Sequence, residues 1–590
     1  MPSLLKTNVK RIFVTMSIIF LLCSLIATGL SFTSRASAAA SQATVYTSVT
    51  KGTMAPVAIA DPRHPPVQKA AVIPQMHTNK GERLRPSGSK AASVSMGQVS
   101  ASALPLAHTG QILQNFNGVG SLDSANTNFG AEFEPPDQGL CAGNGFVIDA
   151  VNSAFTIYRT NGQPVLGPLN VNVLFAEGLT QFTSDPRCFF DKPTHTWVAI
   201  ILFISTDANG NFTNADGRTD IAVNNSGDPT TPWTVYHLEQ IDDGTNGTPN
   251  HTGCPCFGDQ PLIGIDQENF YISTNEFSIL GAAANGAQIY PISKSQLFAL
   301  SNQVHFVHFD QLAIGGTTAF SVQPATTYGK DFFATALDAN MGGSTNGEFF
   351  LNSLDPNNTF DSRIGVWAVG NRHQVTLGGV PTLSSLVITS QAYGFPPQTG
   401  AIQQGSALTL NPDDDRMQQT EFINGNIWGA LETAVTIPND TAERIGVAWF
   451  QVHPQISNGV ISMAAIVKQG TIASAGNYLL YPAIAAGPDN TAAITYTFTG
   501  PNNFPSAAYS VLREGQTSFG DVRIAAAGTG PYSQTAARPA TRWGDYSYAV
   551  LDPDSNRYWL ATEYIPPVGS QTTDAARNWG TRVVEIDGRS

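Results

Sequence analysis

The stretch Gln260–Ser273, QPLIGIDQENFYIS, consists of a residue before proline, a short apolar strand, a polar turn and a second strand. Tyr481–Thr495, YPAIAAGPDNTAAIT, repeats this order. Phe189–Ala199 (FFDKPTHTWVA) and Val550–Ala561 (VLDPDSNRYWLA) share a strand, an Asp/Pro turn and a Trp at the start of the next strand. Such units recur at intervals of roughly 50–75 residues, which is typical of propeller blades joined by loops of variable length.

The sequence around these repeats has the same texture from residue 110 onward. Segments of five to eight residues rich in Val, Ile, Tyr, Phe and Trp alternate with Gly, Asn and Asp turns, which indicates an all-β body. A sheet of that size has to close or fold back on itself to avoid open edges. We therefore predict a β-propeller of six or seven blades over residues 110–590, with residues 110–125 closing the ring against the C-terminal strands. Two packed β-sandwich domains are the alternative.

The charge of the chain excludes one class of partner. The 590 residues carry a net charge of −14, and residues 111–590 contain 42 acidic against 19 basic side chains. A body with this excess of carboxylates repels phosphate backbones, so we predict that the protein does not bind nucleic acid.

The N-terminal region has the pattern of an export signal. Basic residues at Lys6, Lys10 and Arg11 precede an apolar run over residues 12–32, and small residues follow at 36–40. This pattern predicts a signal peptide, residues 1–40, a secreted or cell-surface protein and no membrane span after cleavage; an uncleaved anchor is the alternative. The basic stretch that follows, residues 41–109, is rich in Ala, Pro and Ser and predicts a disordered linker, or alternatively a propeptide.

Four cysteines remain once the signal is removed: Cys141, Cys188, Cys254 and Cys256. An even number in an exported chain predicts disulfides, and three pairings are open. Because direct closure between Cys254 and Cys256 would be strained, we expect each of them to pair with Cys141 or Cys188. The alternative is a soft-metal site that includes His251, but Cys-x-Cys is not the usual spacing of zinc ligands.

Four further blocks occur in order along the body: PPDQG at 135–139, SDP at 184–186, GDQP at 258–261 and RWGDYS at 542–547. With these blocks, residues 130–590 resemble a family of exported, largely uncharacterised bacterial and fungal β-propeller-like proteins. Where relatives tend to carry Gly-Asp-His-Glu, this chain has GALE at 429–432. The resemblance implies the fold and secures no activity.

The segment Ser226–Trp233, SGDPTTPW, resembles a degenerate sialidase-type Asp-box. Ser226, Asp228 and Trp233 match that box, whereas Thr230 replaces its glycine and Pro232 its threonine. An Asp-box is a structural turn on outer blade strands, so this resemblance supports the propeller fold and implies no catalytic role.

Asp137, Asp185, Asp259 and Asp545 each precede the first apolar strand of a predicted blade, next to Pro or Gly. In a propeller such positions surround the central channel, where carboxylates repel each other unless cations or hydrogen bonds intervene. We therefore predict a site for a hard cation, Ca²⁺, formed by these four aspartates. The alternative is that each aspartate caps backbone N–H groups of its own turn.

Two arginines and two tryptophans are the predicted ligand-binding residues. Arg187 and Arg542 lie at strand starts and could clamp an anionic sugar, although arginines beside aspartates are often structural. Trp543 and Trp579 have glycine neighbours, so we expect them to be exposed and to stack on sugars; packing between blades is the alternative.

The sequence thus predicts a secreted propeller that binds an extracellular ligand, a carbohydrate or another surface polymer, through one mouth of its channel. The first alternative is a sialidase-like glycoside hydrolase, for which Asp545, Glu563 and Tyr546 are the candidate catalytic residues. A structural cell-envelope protein is the second alternative.

Overall fold

The computed structural model describes residues 42–66, 110–131, 133–328, 347–354, 360–532, 540–569 and 578–589. The predicted signal peptide and residues 67–109 of the predicted linker lie outside these ranges, so export stays a prediction. Within the described ranges, no helix has the length and apolar character needed to cross a membrane.

Strands dominate the described chain, and they are grouped here by blade. Before the first blade come β1 (Thr44–Val45), β2 (Val49–Met54), β3 (Pro56–Ala60), β4 (Gln111–Gly120) and the helix α1 (Ser121–Thr127). Blade 1 contains β5 (Gly139–Gly143), β6 (Phe146–Ala150), β7 (Ala154–Arg159) and β8 (Pro164–Asn170). Blade 2 contains β9 (Phe182–Asp191), β10 (Thr196–Thr206), β11 (Phe212–Asn224) and β12 (Trp233–Glu239). Blade 3 contains β13 (Cys256–Ile265), β14 (Asn269–Ser278), β15 (Ala284–Ser293), the helix α2 (Lys294–Phe298) and β16 (Val304–Phe309).

The remaining blades follow in the same order. After β17 (Ala313–Ile314) and β18 (Thr317–Thr318), blade 4 contains β19 (Gln323–Thr326), β20 (Glu348–Ser353), β21 (Phe360–Gly370) and β22 (Thr382–Gly394). After β23 (Thr409–Leu410), blade 5 contains β24 (Met417–Ile423), β25 (Asn426–Val435), β26 (Arg444–Ser457) and β27 (Val460–Ile472). Blade 6 contains β28 (Tyr478–Ala486), β29 (Ala492–Gly500), β30 (Asn503–Leu512) and β31 (Arg523–Ala526). After β32 (Ala540–Thr541), blade 7 contains β33 (Tyr548–Asp552), β34 (Arg557–Tyr564) and β35 (Gly580–Asp587). Short 3-10 turns lie at Val171–Phe175, Lys192–Thr194 and Arg372–Gln374.

The described strands form a closed ring of seven blades. The first strand of each blade is innermost and packs against the first strands of both neighbours, and β33 of blade 7 packs against β5 of blade 1. The outer strand of blade 7 is β4, which pairs antiparallel with β35 and places Phe116 opposite Val583. The propeller prediction is therefore confirmed, including closure of the ring by residues 110–125.

The repeated stretches occupy equivalent places in the ring. Gln260–Ser273 lies in the β13–β14 hairpin of blade 3 and Tyr481–Thr495 in the β28–β29 hairpin of blade 6. Gln260 and Tyr481 each have a φ of 52° and lie at a shift in the strand register. Asp185 of blade 2 likewise has a positive φ, of 60°, and lies at a shift in the strand register. Such a bulge redirects the side chain of the residue before the proline.

The predicted linker is corrected for residues 44–60, which are strands. β3, β2 and β1 pair with the outermost strands of blades 2, 3 and 4, respectively. Edge strands carry unpaired N–H and C=O groups, and an extended segment of almost any composition can satisfy them. Val57 and Ile59 are exposed, whereas Ala60 is buried, so this arm covers blade edges without adding a large apolar core.

Candidate functional site

Three of the four predicted aspartates meet at one end of the channel. Asp137, only 1% exposed, accepts a 2.7 Å hydrogen bond from the backbone N–H of Asp545 and another of 2.7 Å from Asn152 Nδ2. Asn152 Oδ1 in turn accepts a 2.7 Å bond from the backbone N–H of Asp185. The Asp137 carboxylate thus binds a backbone N–H of the segment that leads into blade 7 and joins two blades, whereas the alternative expected a bond within its own turn. We call this end of the channel, where the innermost strands begin, the mouth.

Asp259 does not hold the position equivalent to Asp185, and the sequence prediction was wrong by one residue. Asp259 lies in the regular ladder opposite Asn275, whereas its neighbour Gln260 has the positive φ at the bulge. Gln260 Oε1 accepts a 2.6 Å bond from Arg416 Nη1 of the segment that leads into blade 5. The sequence signal that could have identified Gln260 is its place directly before a proline, which it shares with Asp185 and Tyr481.

The described chain contains two groups of three side chains whose His, Cys, Asp or Glu donor atoms lie within 4.8 Å of each other. They are His251, Cys254 and Glu276, and Glu177, Asp220 and His237; neither includes the four aspartates. The calcium site therefore stays a prediction. The second group surrounds Arg218, which forms ion pairs of 2.7 Å with Glu177 and Asp220 and already supplies a cation.

Two arginines at the mouth are matched by carboxylates and reached by solvent. Arg542 pairs with Asp545, and the Arg542 side chain is 22% exposed. Arg416 lies 2.8 Å from Asp413 and 2.7 Å from Asp414, with its side chain 12% exposed. Burial raises the pKa of Asp413 to about 7, although the charge of Arg416 opposes this increase. The charges of both guanidinium groups are thus largely neutralised within the protein.

Arg187 differs from these two arginines because aromatic rings are its neighbours. Its guanidinium carbon lies 3.9 Å from the ring centre of Tyr546 and 5.2 Å from that of Tyr548. Those tyrosines belong to blade 7 and its lead-in segment, whereas Arg187 belongs to blade 2, so the arginine side chain extends across the blade 1 sector of the channel. Arg187 is 4% exposed, and its Nε and Nη2 have no hydrogen-bond partner among the described residues.

The channel is filled below Arg187. Two residues further along β9, the ring centre of Phe189 lies 5.4 Å from that of Tyr328. Tyr328 Oη donates a 2.8 Å bond to Glu421 Oε1 and accepts one of 3.2 Å from the backbone N–H of Leu551. These contacts connect blades 2, 5 and 7 through the axis. Arg187 therefore lies at the floor of the mouth, above this packed layer.

The candidate catalytic residues lie at the same end. Glu563 Oε2 accepts a 2.8 Å bond from the backbone N–H of Gly544, next to Asp545. Burial raises the pKa of Glu563 well above its usual range, and the charges of Asp137 and Asp545 add to this effect. Burial also raises the pKa of Tyr546, which lies beneath Arg187. The structure brings these groups together, and their catalytic role stays a prediction.

The tryptophan prediction is corrected. Trp543 and Trp579 are 1% and 0% exposed and belong to one hydrophobic cluster, so they pack in the core and are not open to a stacking ligand. The Trp543 ring centre lies 5.0 Å from that of Tyr532. Glycine follows Trp543 because of close packing, since a Cβ at Gly544 would lie 2.5 Å from Glu563 Oε2.

The cysteines form two disulfides, as predicted, but the predicted pairing is wrong. Cys141 on β5 pairs with Cys188 on β9, with a Cα–Cα distance of 5.5 Å. Cys254 pairs with Cys256 at a Cα–Cα distance of 4.5 Å. The first bond joins blades 1 and 2, and the second lies in the chain leading into blade 3. The two pairs lie in different parts of the ring, so neither Cys254 nor Cys256 pairs with Cys141 or Cys188.

Comparison with solved structures finds similar chains of very low sequence identity. A GH93 alpha-L-arabinofuranosidase of Fusarium graminearum has a TM-score of 0.32 at 8% identity, covering 80% of this chain and 98% of its own. The Trypanosoma rangeli sialidase has a TM-score of 0.30 at 9% identity, covering 76% and 58%. An exo-beta-1,3-galactanase from Clostridium thermocellum has 0.27 at 10%, covering 80% and 95%. No protein-family model and no curated protein sequence matches the chain. These similarities are too low to transfer residues or activities.

Proposed function

We propose that the protein binds an acidic polysaccharide outside the cell, with a sugar carboxylate held by Arg187 at the mouth. The observation that supports this most is that Arg187 Nε and Nη2, both buried, have no hydrogen-bond partner among the described residues. Buried polar groups in folded proteins nearly always have a partner, so these two donors call for an explanation. A carboxylate matches the planar guanidinium with two parallel hydrogen bonds.

The surroundings of Arg187 favour a sugar acid over a more highly charged anion. Asp413 and Asp545, whose side chains are 19% and 12% exposed, lie at the same mouth as Arg187 and offer carboxyl oxygens that can bond sugar hydroxyls. The same carboxyl groups would repel a phosphate monoester, which carries between one and two negative charges at neutral pH, more strongly than a uronate carboxylate, which carries one. The single positive charge of Arg187, with hydrogen-bonding groups around it, therefore fits a sugar that carries one carboxylate and several hydroxyl groups.

Affinity electrophoresis of the folded chain in gels that contain polysaccharide tests this proposal. We expect polygalacturonate to slow the protein at micromolar sugar-acid concentrations, and neutral galactan to leave its mobility unchanged. Equal retardation by both polymers, or by neither, would contradict the proposal. Because the protein carries a net charge of −14, non-specific attraction to an acidic polymer does not account for binding.

Hydrolysis of such a polymer is the second candidate, and Glu563 is the observation that favours it. A carboxyl group whose pKa is raised by burial keeps its proton to a higher pH than usual and can act as a general acid. The ring of carboxylates beside it would supply the second group that glycoside hydrolysis needs. Release of reducing sugar from polygalacturonate, abolished in Glu563→Gln, would support this candidate, and binding without release would exclude it for this polymer.

A further inference from the structure

A cluster apart from the channel mouth combines imidazole, sulfur and carboxylate donors. His251 Nδ1 lies 2.9 Å from Glu276 Oε1, and Cys254 Sγ lies 3.7 Å from the same oxygen. The donor atoms of the three side chains all lie within 4.8 Å of one another. Histidine nitrogen, cysteine sulfur and carboxylate oxygen are the ligand types that zinc takes in proteins.

The second nitrogen of His251 is also held as in a zinc site. His251 Nε2 lies 3.1 Å from Asp310 Oδ2, and Asp310 accepts a further bond from the hydroxyl of Ser48 in the N-terminal arm. A zinc-bound histidine usually donates its other ring N–H to a carboxylate, which fixes the orientation of the ring. Nδ1 is therefore the ligating nitrogen, and Asp310 orients the ring from behind.

A cavity reaches the imidazole and the carboxylate of this cluster. It has a volume of about 360 Å³, and its lining includes His251, Glu276, Asn285 and Gln288. Cys254 is half-buried, whereas Cys141 and Cys188 are 1% and 3% exposed. Cys256 is fully buried, so a thiolate reductant would attack the bond at the Cys254 sulfur, which is more accessible than either sulfur of the other disulfide.

The Cys254–Cys256 disulfide conflicts with metal binding because it leaves neither sulfur as a thiolate, and the Cys-x-Cys spacing is not the usual one for zinc ligands. Breaking that bond would supply two sulfur ligands at one place, because the two sulfur atoms are bonded to each other. Together with the imidazole and the carboxylate they complete the four ligands of a closed tetrahedral site.

We propose that reduction of the Cys254–Cys256 disulfide creates a zinc-binding site whose ligands are Cys254, Cys256, His251 Nδ1 and Glu276. In the first step a dithiol transfers two electrons and two protons, the S–S bond breaks, and the dithiol leaves as a cyclic disulfide. In the second step Zn²⁺ binds both sulfurs, Nδ1 and one Glu276 oxygen, and releases the two thiol protons and the Nδ1 proton to solvent. The zinc site is therefore present in the reduced protein and absent in the oxidised one.

Zinc titration of the full chain against a chromophoric chelator, before and after treatment with a dithiol that is then removed, tests the proposal. We expect one equivalent of zinc to bind the reduced protein at least 100-fold more tightly than the oxidised protein. The same preparation loaded with Co²⁺ should show thiolate-to-cobalt charge-transfer absorption. Alkylation and mass measurement should show that Cys254 and Cys256 are the thiols released.

Matched variants separate this site from other sources of zinc binding. The double variant Cys254→Ser/Cys256→Ser should lose the gain in affinity, and Glu276→Gln should weaken zinc binding at least 10-fold. The variant Cys141→Ser/Cys188→Ser should keep the gain in zinc affinity on reduction. If that variant does not fold, native protein in which only Cys254 and Cys256 have been alkylated is the replacement control. This alkylated protein should show no gain in zinc affinity. Zinc binding that persists without these two sulfurs, a disulfide that resists the dithiol, or no gain on reduction would each overturn the proposal.

Discussion

The carboxylate of Asp137 accepts a 2.7 Å hydrogen bond from the backbone N–H of Asp545, which lies 408 residues later in the chain. This bond links blade 1 to the segment that leads into blade 7, at the junction where the two ends of the propeller meet. Pairing of β4 with β35 closes the same junction at the outer edge. The ring is thus held at its inner end by a side chain and at its outer end by backbone pairing.

The variant Asp137→Asn should destabilise the fold by about 1–3 kcal/mol. The Asp545 backbone N–H and Asn152 Nδ2 each donate to one Asp137 oxygen. In the variant an NH₂ group replaces one of those oxygens, so one of the two buried donors loses its acceptor. Asn152 cannot turn its amide to compensate, since its Oδ1 already accepts from the backbone N–H of Asp185. The φ of 49° at position 137 is tolerated by asparagine, so backbone strain adds little. Denaturant unfolding should show the decrease, while Asp521→Asn, at an exposed site, should change stability by less than about 0.5 kcal/mol.

The two disulfides should differ in their contribution to stability. Cys141 and Cys188 are separated by 47 residues, whereas Cys254 and Cys256 are separated by 2. Loop-closure entropy then predicts a loss of roughly 4 kcal/mol for Cys141→Ser/Cys188→Ser and less than about 2 kcal/mol for Cys254→Ser/Cys256→Ser. Unfolding midpoints of the two double variants check this order, and equal losses would contradict it.

Stability should fall as pH rises through the range in which Glu421 ionises. Burial raises the pKa of Glu421 from 4.5 to about 8, so the folded state keeps a proton that the unfolded state loses within that window. Because the folded state binds more protons there, each step upward in pH favours unfolding. In Glu421→Gln this contribution is absent, and the loss of stability between pH 5 and 8.5 should shrink by on the order of 3 kcal/mol. Denaturant unfolding at both pH values measures it, and parallel pH profiles would refute the assignment.

The N-terminal arm should detach locally when Gly52 gains a side chain. A Cβ at Gly52 would overlap the ring of Phe306 in the adjacent strand of blade 3. We expect Gly52→Ala to speed trypsin cleavage after Lys51 several-fold while the propeller itself stays resistant. Thr50→Ala lies in the same strand without this overlap and should be cleaved as slowly as the parent chain.

The sequence predicted the ring because the hairpin repeats carry their own signals, a proline at the bulge and a polar turn between apolar strands. The arm was missed because backbone groups make most of its contacts, so VTKGTM and PVAIA carry little pattern. Asp137, Asp185 and Asp545 were correctly predicted to meet, whereas a bulge displaced the equivalent position from Asp259 to Gln260. The burial of Trp543 was not predicted, because glycine next to tryptophan is equally typical of a tight core contact and an exposed turn.

The most direct test of the central claim is the affinity for polygalacturonate of the parent chain and of Arg187→Gln, measured by affinity electrophoresis. The control is Arg363→Gln, since Arg363 is 47% exposed and pairs with Asp361 away from the mouth. We predict at least a roughly 10-fold loss of affinity for Arg187→Gln and none for Arg363→Gln, in proteins with equal near-ultraviolet circular dichroism. Unchanged affinity in Arg187→Gln, or an equal loss in both variants, would contradict the claim that this arginine holds the ligand.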